Sequence, residues 1–385
     1  METLERTSTL AIKLETTALA GTATSSGTAV TGSGTAFDTA LKAGDLIGKA
    51  DFTTGFRSVV SISSATALVV DEAFDVALTG AIVKQSYGVN PTVAAADVIE
   101  FEKGIETPTY KPDMKDRNIV RNTKSQMSKR RGAELNAAGN VSVELKGSGT
   151  ATTPPESDPL WLSAIGMRRA SVSSLTHAAT PCTATSIVLV TGNGANHRKN
   201  ESISTTIGGL VEIAWITGIS TDTLTVAPAF SAAPALGATI GAGVHYKPSK
   251  RDHFSFWETY WRGNTTKCQA PGNEVDKLTL DFKLGEIVSP KFSHAAKQTE
   301  TEVTEAYTLG TPTYDTTSPL MARNMTVKLG ATAYDLSDLA IEWSNEQYKR
   351  QSLSGNGVTK ISVTSRKVSG SFSLLYEDTT FEAAF

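Results

Sequence analysis

"VDKLTLDFKL", residues Val275–Leu284, puts Leu278, Leu280, Phe282 and Leu284 on one side of an extended chain and Lys277, Thr279, Asp281 and Lys283 on the other. A period of two is that of a strand with one buried and one wet face, which suits antiparallel sheets better than buried parallel ones. The pattern recurs in "GNVSVELKG" (Gly139–Gly147) through Val141, Val143 and Leu145. It returns in "LAIEWS" through Leu339, Ile341 and Trp343, and in "TKISVTS" through Ile361 and Val363. In "HFSFWETYWRG" (His253–Gly263), Phe254, Phe256, Glu258 and Tyr260 alternate with Ser255, Trp257, Thr259 and Trp261. Bulk on both faces predicts a central strand covered on both sides, with an aromatic sugar-binding platform as the competing reading. Helical signals are few. The best is "PPESDPLWLSAIG": Pro154 and Pro155 stop a strand, Ser157 or Asp158 can cap, Pro159 suits the first helical position and Gly166 the end. That spacing predicts a short helix over Pro159–Ile165. The expected class is all-β, mainly antiparallel, with one short helix.

The bulk composition narrows the function. A chain of 385 residues has room for two or three domains. A net charge of −3 argues against a sequence-independent nucleic-acid binder, which carries a large positive excess. No apolar run is long enough to span a bilayer, and "METLERTSTLAIKLETT" offers no signal-peptide core, so no membrane insertion is expected. Cys182 and Cys268 read as separate thiols rather than a disulfide framework.

One passage is written twice. "VTGSGTAF" from Val30 and "ISSATALVVDEAF" from Ile62 to Phe74 are answered by "VTGNGANH" from Val190 and "ISTDTLTVAPAF" from Ile219 to Phe230. "GDLI" (Gly44–Ile47) answers to "ESIS" (Glu201–Ser204), and "GAIVKQSY" (Gly80–Tyr87) to "GATIGAGVHY" (Gly237–Tyr246). Two copies parted by unrelated sequence are too few for a solenoid. They predict two small inserted β modules, residues 20–88 and 178–247, within one discontinuous core of residues 1–19, 89–177 and 248–385. On this reading the strand "TLAIKLET" is an orphan that must pair with later segments.

Catalytic and metal motifs are not found. The glycines of "VTGSG" and "VTGNG" lack the Gly-Lys-Ser/Thr and the helix of a phosphate loop, so they read as hairpin turns. His177, His197, His245, His253 and His294 have no ligand spacing, and no nucleophile elbow stands out. No enzyme, cofactor or metal is expected.

In order, "LAIKLETT", "VNPTVAAADVIEFEKGIETPTYKPD", a basic arm, "GNVSVELKGSG", "PPESDPLWLSAIG" and "KLTLDFKLGEIVSPKFSHAAKQ" resemble the tail tube (major tail) proteins of long-tailed bacteriophages. The resemblance rests on Glu15, Gly139–Gly149, Pro159–Ile165 and Gly285–Phe292. It implies a tail-tube β-sandwich whose copies form hexameric rings, stacked into a virion tube around a lumen that conducts DNA without binding it specifically. Partners would be further copies and other tail proteins (tape measure, terminator, distal tail), with assembly in the host cytoplasm. A baseplate or distal-tail ring component and a carbohydrate-binding adhesin are the alternatives.

"KPDMKDRNIVRNTKSQMSKRR" carries Lys111, Lys115, Arg117, Arg121, Lys124, Lys129, Arg130 and Arg131 against Asp113 and Asp116. It reads as a solvated loop, as a nucleic-acid arm lacking stacking aromatics, or, given the resemblance, as an arm reaching the next ring. Glu300, Glu302 and Glu305 would be its acidic partners, through charge complementarity.

Overall fold

A computed structural model of the chain describes residues 9–52, 55–102, 106–115, 130–150, 152–249, 252–261, 266–297, 303–304, 308–323, 327–329, 332–334, 336–352 and 357–374. In chain order, β1 (Thr9–Leu14) leads into β2 (Thr16–Ser26), β3 (Ala29–Ser33), helix α1 (Phe37–Ala40), β4 (Leu46–Lys49), β5 (Arg57–Ser64), β6 (Ala67–Val70) and β7 (Thr79–Gln85). Next come β8 (Val98–Ile99), β9 (Glu106–Lys115), β10 (Arg130–Ser142) and helix α2 (Asp158–Ile165). Then follow β11 (Gly166–Ala170), β12 (Ser174–Leu175), β13 (Ser186–Val188), β14 (Ser202–Ile207), β15 (Leu210–Ser220), β16 (Thr223–Ala227), β17 (Thr239–Ile240) and β18 (Val244–Pro248). The last are β19 (Ser255–Trp261), β20 (Thr266–Lys283), β21 (Lys291–Ala296), β22 (Val303–Thr304), β23 (Val327–Leu329), β24 (Thr332–Tyr334), β25 (Leu336–Ser352) and β26 (Gly357–Leu374). Every pairing among the described strands is antiparallel, so the fold is all-β with short helices.

The main sheet runs β8-β1-β19-β20-β21-β10-β9, with β22 and the β25–β26 hairpin joined through β20. The expected orphan strand finds its mate here: β1 pairs with β19, Thr9 opposite Tyr260 and Leu14 opposite Ser255. β19 is the central strand its aromatics foretold, since every residue from His253 to Tyr260 is buried. β20 serves β19 with its first half and β21 and β25 with its second. Leu10, Ile12 and Trp257 from one end of the sheet share a core with Val141, Leu278 and Phe292 from the other. Strands that far apart in the order meet only if the sheet curls over on itself. α2 plugs the fold with Leu160, Trp161 and Ala164, and Trp161 meets Phe292 edge-on at 5.3 Å. Gly166 ends it as read, at φ +129°, but the start differs: Ser157 holds the N-cap position without a side-chain cap, its Oγ accepting the Trp161 indole N–H at 3.1 Å, and Asp158 is the first helical residue, with Pro159 second.

Two smaller bodies flank this sandwich. β2-β3-β6-β5-β4-β7 close into a barrel around Val30, Phe37, Ile47, Val59, Leu68, Val70 and Ile82. β13-β16-β15-β14 repeat four of those strands in the same order, around Ile187, Ile203, Ile216, Leu224, Val226 and Ile240. The separate pair β12–β17 and the single bridges Thr176–Leu189 and Ser204–Gly241 link the outer strands of this sheet, so that it wraps its core as a second, bridge-closed barrel. Val30 faces Leu68 as Ile187 faces Leu224, and Val59 faces Val70 as Ile216 faces Val226. The register shift after Val59 recurs after Ile216.

The register corrects one anchor of the repeat. Val30 corresponds to Ile187, not to Val190, so the two Val-Thr-Gly runs occupy different places. Neither is a hairpin turn. Val30–Ser33 lies within β3 ahead of α1, while Val190–Gly194 leads into a 3₁₀ turn at Asn193–Asn196. Gly194 is required there for another reason: a Cβ would stand 1.8 Å from the Thr221 carbonyl oxygen.

Candidate assembly surface

Among the described residues, the outermost strand of the hairpin β25–β26 is paired along one side only. The two strands pair from Leu336–Leu374 to Ser352–Gly357, and β26 pairs with no other strand among the described residues. The middle of the hairpin is fastened down. Asn345 Nδ2 donates to the carbonyls of Ala164 (2.8 Å) and Val275 (2.9 Å), and Gln347 Nε2 to that of Glu274 (3.1 Å). On the outer side, the Ile361 amide donates to the Tyr87 hydroxyl (3.0 Å) and the Val363 amide to Asp252 Oδ2 (3.3 Å). Beyond these anchors, Lys367–Ser371 is exposed along both faces.

Register sorts this end of the hairpin into two faces. Leu278, Trp343 and Val368 lie in one row, Leu280, Ile341 and Gly370 in the next. The opposite face carries Thr279, Glu342 and Ser369, then Asp281, Ala340 and Ser371. The apolar face is anchored in the core at Leu278 and Trp343 and runs out to solvent at Val368, 56% exposed. A polar face backed by an apolar one, ending in an open strand edge, can accept a further strand from another chain.

β9 and β10 form a two-stranded ribbon at the other end of the sheet order. Lys115 stands opposite Arg130 and Lys111 opposite Asn136 in its ladder, and Arg131 opposite Met114. The structure thus brings Lys111, Lys115, Arg130 and Arg131 onto one ribbon. Arg117, Arg121, Lys124 and Lys129 lie outside the described residues, as do Glu300, Glu302 and Glu305.

Sequence reasoning missed a buried ionic clasp between the barrels. Arg168 and Arg169 are neighbours on β11 and point to opposite sides. Arg168 pairs with Asp158 at 2.5 Å, and Asp158 also accepts from the Tyr246 hydroxyl at 2.7 Å. Arg169 pairs with Glu201 of the second barrel and lies 3.6 Å from Asp75 of the first. Arg57 meets Asp75 at 2.8 Å, and Glu72 receives Lys247 at 2.6 Å. Charge-assisted bonds among the buried members, Arg57, Asp75, Arg169 and Glu201, are strong if every member is kept and costly if one is lost, while the Glu72–Lys247 pair lies nearer solvent. Lys247 and the nearby Arg57 and Arg169 hold the Glu72 carboxyl below its usual range despite the desolvation that opposes them. The available signal was "MRRA", two adjacent arginines on a strand with no acid beside them.

The described residues hold no group of His, Cys, Asp and Glu arranged for a metal ion. Among them no helix is long and apolar enough to cross a membrane. A groove of about 1030 Å³ runs between Leu145, Gly147, Thr153, Trp161, Tyr246 and Leu320.

No curated protein matches the sequence. The family described as phage tail tube protein matches residues 5–385, nearly the whole chain. With an all-β sandwich, an open strand edge and two barrels on its flanks, the chain belongs to the phage tail tube protein family.

Proposed function

We propose that this chain is a structural subunit of a phage tail tube, assembling as stacked hexameric rings around a lumen that DNA crosses during infection. The observation that carries the reading is the outer edge of β26: a strand exposed over Lys367–Ser371, at the outer side of the β20–β25–β26 part of the main sheet, which has one apolar face. Such an edge is an aggregation hazard in a monomer and a joint in a ring, where closure removes it. The family match supports assembly with further copies and with other tail proteins in the virion. In this reading the two barrels are modules inserted into a discontinuous core. The β9–β10 ribbon is an arm that meets acidic surface on an adjacent ring. The lumen need not grip its polymer, since a net charge of −3 supplies no basic excess for counterion release.

Negative-stain microscopy of the purified full chain at high concentration tests this. Long tubes are expected; discrete rings that do not stack would favour a baseplate or distal-tail role, and a persistent monomer would end the proposal. Val368→Glu with Ser371→Glu, both exposed, should leave the monomer's circular dichroism unchanged and abolish tubes, because charges on an edge block strand addition.

A further inference from the structure

The shared register gives each strand position of one barrel a counterpart in the other. Counting back along β5 and β15 from Val59 and Ile216, Ser58 matches Trp215 and Phe56 matches Ile213. Along β4 and β14, Ile47 matches Ile203, because each faces the matched positions Arg57 and Ala214. Leu46 therefore matches Ser202. All of Leu46, Phe56, Ser202, Ile213 and Trp215 lie on the outward side, since the interior positions are Ile47, Val59, Ile203, Ala214 and Ile216.

In the first barrel that outward face is occupied. Leu46 and Phe56, with Val83 of β7, are buried against Leu14 and Leu162 of the sandwich, and the Phe56 ring meets His253 edge-on at 5.7 Å. The corresponding face of the second barrel carries a stripe on β15: Val211, Ile213 and Trp215, which are 69%, 62% and 54% exposed. It is flanked by Thr206, Ser204 and Ser202 on β14. The second barrel is held to the rest of the chain elsewhere. The β11–β18 ladder forms its stalk, and Asn196, Arg198 and Glu201 make its polar contacts to Arg169 and Glu72. Among the described residues, its β14–β15 face is exposed at Val211, Ile213 and Trp215.

We propose that this face of the second barrel docks on a second copy of the chain in the assembled tube. The first barrel shows what the same face does when covered: it seats apolar side chains on the sandwich of this very protein. In a tube, each second barrel has the sandwiches of neighbouring copies within reach, so the inference rests on the tail-tube reading. The size of the patch fits an auxiliary contact. Three large side chains fall well short of the roughly 800 Å² per partner that a stand-alone interface buries. They add affinity only once the sheet edges already hold subunits together at high effective concentration. A tryptophan rimmed by hydroxyls also suits a sugar ring, and the experiment separates that occupant.

Hydroxyl-radical footprinting of the full chain, read by mass spectrometry, tests the proposal on dilute monomer and on polymerised tubes. Trp215 and Ile213 should label readily in the monomer and several-fold less in tubes, while buried Trp257 stays unlabelled in both. Trp215→Glu with Ile213→Glu should give tubes that dissociate at lower denaturant, from a monomer with unchanged circular dichroism. Tubes in which Trp215 labels as in the monomer would overturn this inference and leave the tube assignment standing. Protection that comes only when host-envelope glycan is added would overturn it in favour of sugar binding. If microscopy of the same sample shows no tubes, both readings fall together.

Discussion

Glu15 sits where the chain leaves the sandwich for the first barrel, and Gly88 where it returns. The fully buried Glu15 carboxylate accepts the Gly88 amide at 2.5 Å and the Gly272 amide of β20. Burial pushes its pKa up to about 7, against the pull of those amides, that of Val89 and the charge of Lys297. Between the ordinary carboxylate value and about 7, the folded chain holds a proton that the unfolded chain has released. Stability from this residue is therefore present at lower pH and lost as pH rises through that window, by up to about 3 kcal/mol. Glu15→Gln should gain on the wild type from pH 5 to about pH 7 in urea unfolding and level off above that; a pH-independent gap would refute this. His253 acts in the opposite sense. Burial, with Arg366 and Arg168, lowers it to about 3, so its share of stability is lost as pH falls below the ordinary histidine range. Its Nδ1 has no hydrogen-bond partner among the described residues. His253→Phe keeps a ring against Phe56 and should match or exceed wild-type stability at pH 7 while lowering the acid midpoint.

Among the elements, α2 was the most legible in the sequence, because its signals are local. Cap, proline and glycine fixed its ends to within one residue of Asp158–Ile165. Gly166 also faces Ser249, whose amide nitrogen would lie 2.6 Å from an added Cβ. Gly166→Ala should destabilise the chain by about 1–3 kcal/mol, measured by denaturant midpoint. Strands were legible where one face is buried, and the alternation failed where burial did: Leu284 continues the pattern of β20 but is 72% exposed, just past the last residue paired with β25. The barrels were legible as repeats but not as barrels. Their closure depends on pairings such as Thr16–Gln85 and Thr176–Leu189 and on short strands whose periodicity is too brief to read. The Val-Thr-Gly match misled because similar words sat at non-equivalent positions. The clasp around Arg169 stayed hidden because its acids, Asp75 and Glu201, come from different barrels.

For the whole molecule, the sequence order of core segments carried the family, while the joints between parts came only from three dimensions. The β9–β10 ribbon gives a prediction at this scale. If it docks on an adjacent ring, Arg130→Glu with Arg131→Glu should raise the protein concentration needed for polymerisation and flatten its salt dependence in sedimentation. Unchanged behaviour in both would remove the arm from the assembly. The position of β26 along the chain has a consequence of its own. β1 waits for β19, and β19 for β20, while each barrel is nearly complete in its own stretch. On the ribosome, N-terminal parts fold first, so the first barrel can form while the sandwich is still missing half its strands. β26 emerges after every other described strand. On the proposed assembly, its edge would become available for joining a neighbour only once the rest of the body has been made.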